Sequence, residues 1–465
     1  MRRALALAAA MSLAVLAATP AAAASETAAP SARVDEPAAG SAAAATGPDV
    51  IIVMVDDLGY LADERVLERL PSIRGLWLED GLRFERMYDQ TPLCSPSRAS
   101  LLTGKDTLDH GVVRNDPRPL DESETIAVAA QQAGYHTLLS GKYLNRYDGS
   151  VPPPGWEHAL IQKSESRPSF WKDGRTVSYR GRFGDDVIGR QAVRWVRRAP
   201  VEQPLLALVS PGAPHVCEGI GEQCYEPEVM PRDRGARECR GVPPSRPPTY
   251  TTRTNPQEVR DMPPWATGWR LRRVCESLLV VDRTVGQLVA AQAERERAAW
   301  FIFLSDNGMS WGQKGFSLKH TPPASHAPFF VTGPDLEPGS TAALASKIDI
   351  APTIAEMADL EQPWVDGESF MPLLRGEAFA GRQEMLEIMP RSNDPGYAGW
   401  SALRRPDHRF IRWDTGQREL YDLAADPWER ENLVASEPEV AAAMEARLDE
   451  LLSASEPEVA GSAVR

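Results

Sequence analysis

This sequence has little of what would make it a membrane, nucleic-acid or disulfide-built protein. After about Ser25 no stretch is apolar enough to cross a bilayer, so a spanning helix is excluded. Positive charge is in deficit, 51 Lys and Arg against 65 Asp and Glu, for a formal net charge of -14 and a pI near 5.2. Such a balance argues against a general nucleic-acid or membrane-surface binder and slows the approach of a long polyanion, favouring a small or singly charged anionic substrate. Cysteines number five in 465 residues, and no histidine is interleaved among them at finger spacing, so a structural zinc site is the weaker reading. No repeat of fixed period is present.

The termini are informative. Residues 1–25 join a basic start, Arg2-Arg3, to an Ala/Leu/Val core and the small-residue run Ala21-Ala22-Ala23-Ala24, the pattern of a secretory signal peptide. No cysteine follows the apolar stretch, so no lipid anchor is indicated and the expected location is secreted or extracytoplasmic. Residues 26–47 are mostly Ala, Pro, Ser, Thr and Glu, too poor in large apolar side chains to offset their ordering entropy, and read as a flexible leader. With Cys94 set aside, Cys217, Cys224, Cys239 and Cys275 form an even set in an oxidising compartment. Two disulfides are expected, with the connectivity open.

The run Val50–Val55 is apolar and β-branched, as in a strand buried on both faces of a parallel sheet, and it stops at Asp56-Asp57. A second such strand, Ala299–Leu304, stops at Ser305-Asp306-Asn307-Gly308. Between them helix and strand alternate: 123–133 then 135–139, 186–198 then 205–209, and 274–293 feeding the strand at Trp300. This alternation predicts an α/β fold with a doubly wound sheet whose site lies at the carboxyl ends of its strands. Residues 217–265 are irregular and rich in Pro, Arg, Gly and Glu, either an ordered loop whose arginines face an anion or a solvated excursion. Short strands at 400–403, 409–413 and 419–423 and an amphipathic helix at 440–452 predict a smaller C-terminal antiparallel sheet with one helix.

Two rigid strands ending in Asp56-Asp57 and Asp306-Asn307 supply three carboxylates and an amide oxygen, the donors a hard divalent cation requires. Calcium is favoured, with magnesium the alternative, over zinc. Taken alone, an Asp-Asp pair at a strand end is better explained by turn or cap chemistry than by a metal.

Cys94-Ser95-Pro96-Ser97-Arg98-Ala99-Ser100-Leu101-Leu102-Thr103-Gly104 resembles the signature of the type I sulfatases, in which the motif cysteine is converted to formylglycine. The likeness extends along the chain. Val55-Asp56-Asp57 and Ser305–Gly308 are similar to the two metal motifs, Gly141-Lys142 and Pro214-His215 to segments bearing a sulfate-binding lysine and a histidine, and Lys319 stands where a second lysine is expected. Asp349–Thr353 resembles a core signature, and Glu419–Leu423, Asp426-Pro427 and Glu429–Leu433 fit the C-terminal pattern.

The resemblance implies an alkaline-phosphatase-like fold, with a sulfatase catalytic domain over 48–383 and a C-terminal subdomain over 384–465. It implies a metal held by Asp56, Asp57, Asp306, Asn307 and the modified Cys94, and catalytic roles for Cys94, Arg98, Lys142, His215 and Lys319. A formylglycine-generating enzyme is the implied partner. Hydrated formylglycine offers two hydroxyls, one to attack sulfur and one whose collapse expels sulfate. Pro96 and Ser97 are expected to open a helix whose positive end faces the anion.

Lys142 is followed by Tyr143-Leu144-Asn145, so the histidine common two places after that lysine is absent, and His110 and His136 are the nearest in sequence. The stretch His320–Pro328 lacks the usual Tyr-Glu and Arg. Gly141–Tyr147, with Gly149-Ser150 and Pro153–Trp156, resembles the glucosamine-6-sulfatases and extracellular endosulfatases, which implies a sulfated amino sugar as substrate. Two alternatives stand beside this: a phosphodiester or phosphonate monoester hydrolase on the same fold, and a non-catalytic binding protein on a sulfatase scaffold.

Overall fold

The computed structural model describes residues 47–62, 65–163, 168–216, 226–249, 269–391 and 398–454. Residues 1–25, expected to be a signal peptide, nearly all of the expected leader, Cys217 and Cys224 fall outside them. In chain order the main strands of the large sheet are β1 (Asp49–Val55), β2 (Leu82–Phe84), β3 (His136–Gly141), β4 (His158–Gln162), β5 (Ser169–Lys172), β6 (Arg175–Ser178), β7 (Leu205–Ser210), β8 (Ala299–Ser305), β9 (Phe329–Thr332) and β10 (Gly339–Thr341). The main helices are α1 (Cys94–Thr103), α2 (Ile126–Gln132), α3 (Gly184–Arg198), α4 (Arg272–Ala293), α5 (Ile350–Ala358) and α6 (Pro438–Ala454).

The ten strands lie in the order β10-β2-β9-β8-β1-β7-β3-β4-β5-β6. The centre, β8-β1-β7-β3-β4, is parallel, and the flanks add antiparallel pairs, β8 with β9 on one side and β4-β5-β6 on the other. Strand periodicity splits β1 between two cores. Ile51, Val53 and Val55 join side chains of α3 and α4 on one face, while Val50, Ile52 and Met54 join those of α1, α2 and α5 on the other. Helices on both faces make this the expected doubly wound architecture. The antiparallel flanks were not legible because their short strands are only partly apolar.

The smaller sheet has four antiparallel strands, β11 (Met385–Met389), β12 (Trp400–Arg404), β13 (His408–Trp413) and β14 (Arg418–Asp422), one more than the sequence reading assigned. One face buries Leu403, Phe410 and Leu420 against Ala441, Met444 and Leu448 of α6. The other packs Trp400, Ile411, Trp413 and Tyr421 on Leu93 and Phe316, next to the residues of the predicted site. Cys239 and Cys275 form a disulfide between the irregular segment and α4, and Arg232, Arg234, Arg237 and Arg240 of that segment are exposed. No helix among the described residues is long and apolar enough to cross a membrane.

Candidate active site

Parallel pairing places the two acidic strand ends side by side, because Val55 and Ser305 are in register and Asp56-Asp57 and Asp306-Asn307 follow them. Backbone bonds lock this arrangement: Asp306 N-H donates to Val55 O at 2.9 Å, and Asp57 N-H to Asp306 Oδ1 at 3.0 Å. Asp57 has the left-handed φ of 63°, which turns its carboxylate back toward the cluster. Asn307 Nδ2 donates to Asp57 Oδ1 at 2.7 Å and to Gly308 O at 2.9 Å. Its Oδ1 is buried and has no hydrogen-bond partner. A buried acceptor left over among three carboxylates is what an oxygen-coordinated divalent cation would satisfy, so the residues present fit one.

Helix α1 delivers the motif cysteine. It begins at Cys94 itself, two residues before the expected start, with extended Leu93 as its N-cap. Asn115 Oδ1 accepts from Ser95 N-H at 3.0 Å, Pro96 has no N-H to satisfy, and Ser97 N-H reaches Leu93 O at 3.0 Å. Every residue of α1 is buried, despite its polar sequence. Ser97 Oγ donates to Asp89 Oδ1 at 3.0 Å and contacts Asp306 O, and Ser95 Oγ bonds Asn145 on both sides, with Oδ1 at 3.0 Å and the N-H at 2.9 Å.

Cys94 Sγ lies 3.7 Å from Asp56 Oδ1 and 3.1 Å from Lys319 Nζ. Around it the cations are distributed one per carboxylate. Lys142 Nζ sits 2.6 Å from Asp56 Oδ2, Lys319 Nζ lies 2.8 and 2.9 Å from the two oxygens of Asp57, and Arg98 Nε is 2.9 Å from Asp306 Oδ2. His215 Nε2 is 3.3 Å from Asp57 Oδ2. The structure thus brings together every residue that the sequence pointed to: Asp56, Asp57, Cys94, Arg98, Lys142, His215, Asp306, Asn307 and Lys319.

These contacts decide the charges. Burial and neighbouring Asp306 push Asp56 up to about 6, although Lys142 and His215 oppose them. Burial also works against Asp57 and Asp306, but Lys319 and His215 hold Asp57 below its ordinary value, and Arg98, Lys142 and Lys319 hold Asp306 far below. Burial lifts the Cys94 thiol to about 12, so as a thiol it is uncharged at neutral pH. Lys142 and Lys319 are raised above their usual range, because the anions around them, Asp56 foremost for Lys142 and Asp57 foremost for Lys319, together outweigh the cost of burial.

Supporting residues emerge that sequence reasoning passed over. Lys347 Nζ is fully buried 2.5 Å from Asp89 Oδ1 and 3.1 Å from Ser97 Oγ, and also contacts Asp306 O. It ties the strand end to the first turn of α1. Asp185 accepts from Gly212 and Ala213 N-H at 2.7 and 3.1 Å, fixing the turn that precedes His215. Its place in Gly184-Asp185-Asp186 reads as ordinary helix-start acidity, so only the fold reveals it. Gly141 is required for a spatial reason: its φ is 125°, and a Cβ there would come 1.9 Å from Ser210 O. The core signature is a structural clasp, in which Asp349 caps the turn before α5 and its Oδ1 receives Glu368 N-H and Arg382.

Leu144 is a core residue, 4% exposed, on the α2 side of the sheet. Neither histidine near it in sequence reaches the site. His110 Nε2 meets Ser100 Oγ at 3.0 Å and its Nδ1 accepts from Val112 N-H at 3.1 Å, and His136 opens β3 at the end opposite Lys142.

The sulfatase family model matches residues 48–360, and the model of the N-sulphoglucosamine sulphohydrolase C-terminal region matches residues 320–455. The chain belongs to the sulfatase family. This family member is 26% identical over 360 residues to an extracellular sulfatase SULF-1 homolog of Drosophila melanogaster, covering 70% of this chain and 31% of that protein. It is 27% identical over 380 residues to the N-acetylglucosamine-6-sulfatase of Homo sapiens, covering 72% and 66%. The chain spans about half of the related extracellular sulfatase of Caenorhabditis elegans, 49% of its length. A solved structure of a protein in complex with its substrate, D-glucosamine-2-N,6-O-disulfate, is similar with a TM-score of 0.73 at 18% identity, over 88% of this chain and 98% of that one. That likeness shows an alkaline-phosphatase-like fold shared with sulfatases.

Proposed function

We propose that this chain hydrolyses sulfate monoesters, with a sulfated amino sugar as the substrate class, in a secreted or extracytoplasmic setting. The observation that carries the reading is the convergence on Cys94 Sγ of Lys319 at 3.1 Å and Asp56 at 3.7 Å, inside a ring of buried carboxylates and cations. Its relatives named for sulfatase action on N-acetylglucosamine and for extracellular action support the substrate and the location.

In this reading Cys94 is converted by a formylglycine-generating enzyme, since a buried neutral thiol beside three carboxylates is a poor nucleophile. Asp56, Asp57, Asp306 and Asn307 hold Ca2+ or Mg2+, which when bound acidifies a hydroxyl nucleophile and neutralises sulfate charge. Arg98, pinned by Asp306 Oδ2, Lys142 O at 2.7 Å and Ser210 Oγ at 2.8 Å, keeps a buried Nη2 without a partner and holds the residue-94 hydrate. Lys142 and Lys319 donate to sulfate oxygens, and the N-terminal end of α1 adds its dipole. His215 faces the cluster from the β7 side and protonates the departing alkoxide.

Protein made with the modifying enzyme tests this directly. Mass spectrometry of the peptide bearing Cys94 should show the aldehyde, and turnover of glucosamine 6-sulfate or an aryl sulfate should exceed that of an aryl phosphodiester. Turnover should vanish in Cys94→Ala. An unmodified thiol in active protein, or a dominant phosphodiesterase rate, would overturn the proposal.

A further inference from the structure

At the opposite pole of the large sheet lies a second cluster of ligand-bearing side chains. His136 opens β3 and His158 opens the adjacent parallel strand β4, with Leu138 and His158 in register, so the two imidazoles share one face. Their ring centroids are 5.7 Å apart. Glu157, immediately before β4, places Oε2 2.7 Å from His136 Nδ1, and Asp173 Oδ1 lies 3.7 Å from His158 Nδ1. One ring nitrogen of each histidine and one oxygen of Glu157 all fall within 4.8 Å of one another.

We propose that His136, His158 and Glu157 bind a zinc ion, independently of the site at Cys94. A tetrahedral zinc with bonds of about 2.0–2.2 Å needs donor atoms roughly 3.3 Å apart, so closing the cluster takes side-chain movements of about 1.5 Å or less. The two imidazoles are already held. His136 is on a buried strand, with its side chain 7% exposed, and the His158 ring stacks on Trp195 of α3 at 5.5 Å and 8°. The mobile ligand is the carboxylate: the Glu157 side chain is 49% exposed, which leaves an entry path and an open fourth position for water. Asp173 is the outer carboxylate that orients His158, its own Oδ1 steadied by Ala159 N-H at 2.9 Å. Mixed nitrogen and oxygen donors suit zinc, whereas the all-oxygen set near Cys94 suits calcium, so the two poles select different ions.

The bound ion would join the first residues of two neighbouring strands about 20 Å from Lys142, six residues along β3 at roughly 3.3 Å each. Its readout is therefore occupancy and stability, with turnover untouched. Zn2+ should be titrated into the full chain in excess Ca2+ by calorimetry, alongside His158→Gln and Glu157→Gln, whose side chains are exposed enough for both variants to fold. Wild type should take up one more equivalent than either variant, and its melting temperature should rise with Zn2+ while theirs does not. Sulfate-ester turnover in Ca2+ alone should be equal in all three. Equal zinc stoichiometry and affinity in wild type and both variants would overturn the site.

Discussion

The two strand ends and the loop bearing Lys319 meet at Cys94 but are built in opposite ways. Asp56, Asp57, Asp306 and Asn307 continue fully buried parallel strands, and their positions follow from register and a few backbone bonds. Lys319 rides on an irregular segment with left-handed φ at Lys314, Leu318 and His320, and the smaller sheet holds that segment from behind. Lys314 Nζ is buried against Glu419 Oε2 at 2.7 Å, Tyr421 Oη at 2.9 Å and Glu429 Oε2 at 3.3 Å. Trp400 Nε1-H donates to His320 O at 3.0 Å, and Arg409 Nη2-H to Pro322 O at 2.9 Å. One wall of the site is therefore fixed by the large sheet, and the other by ion pairs reaching over from a separate sheet.

This contrast can be broken by substitution. Asp57→Asn or Asp306→Asn, at the strand ends, should lower turnover by about 10³-fold or more and weaken Ca2+ retention. Chelation of wild type should mimic them, and re-added Ca2+ should restore the rate. Unchanged kinetics in either variant would remove the strand ends from the chemistry. Lys314→Met leaves Glu419 buried without its cation, while Glu429 keeps Arg409 at 2.9 Å, and should cost about 3–5 kcal/mol in denaturant unfolding. Turnover should fall with it while Ca2+ affinity holds, because only the loop wall is loosened. Lys319→Met should cost about 10²-fold in turnover with little change in melting temperature, separating the loop's chemistry from its bracing.

Acid should separate the packing behind α1 from the bracing of the loop by pH window. Burial lowers His110, packed behind α1, from 6.5 to about 3. The unfolded chain therefore takes that proton first, and stability falls as pH drops from 6.5 toward 3. Burial opposes the charge on Glu429, but Arg409, Lys314 and Arg404 prevail and hold it at about 2 against an ordinary 4.5. Its contribution is complete above 4.5 and is lost as pH falls toward 2. Each slope is bounded by about 1.4 kcal/mol per pH unit. Unfolding curves of His110→Gln should flatten the upper window and those of Glu429→Gln the lower one, and identical profiles in the two variants would refute the assignment.

Sequence alone determined the strand-borne half of this protein. Apolar runs that stop in carboxylates announce both the parallel sheet and the donor set, because period and polarity are local properties. Spacing within Cys94–Gly104 likewise carried the helix and its motif, to within two residues at its start. Lys319 was found through motif position, yet what holds it was out of reach: Lys314 lies 105 residues from Glu419 and 115 from Glu429, and the three become a network only when the smaller sheet docks. Lys347 with Asp89, Asp185 under the His215 turn, and His136 beside Glu157 and His158 are decided the same way. A lone buried charge leaves no periodic trace, and its meaning depends on a partner that only the tertiary fold supplies.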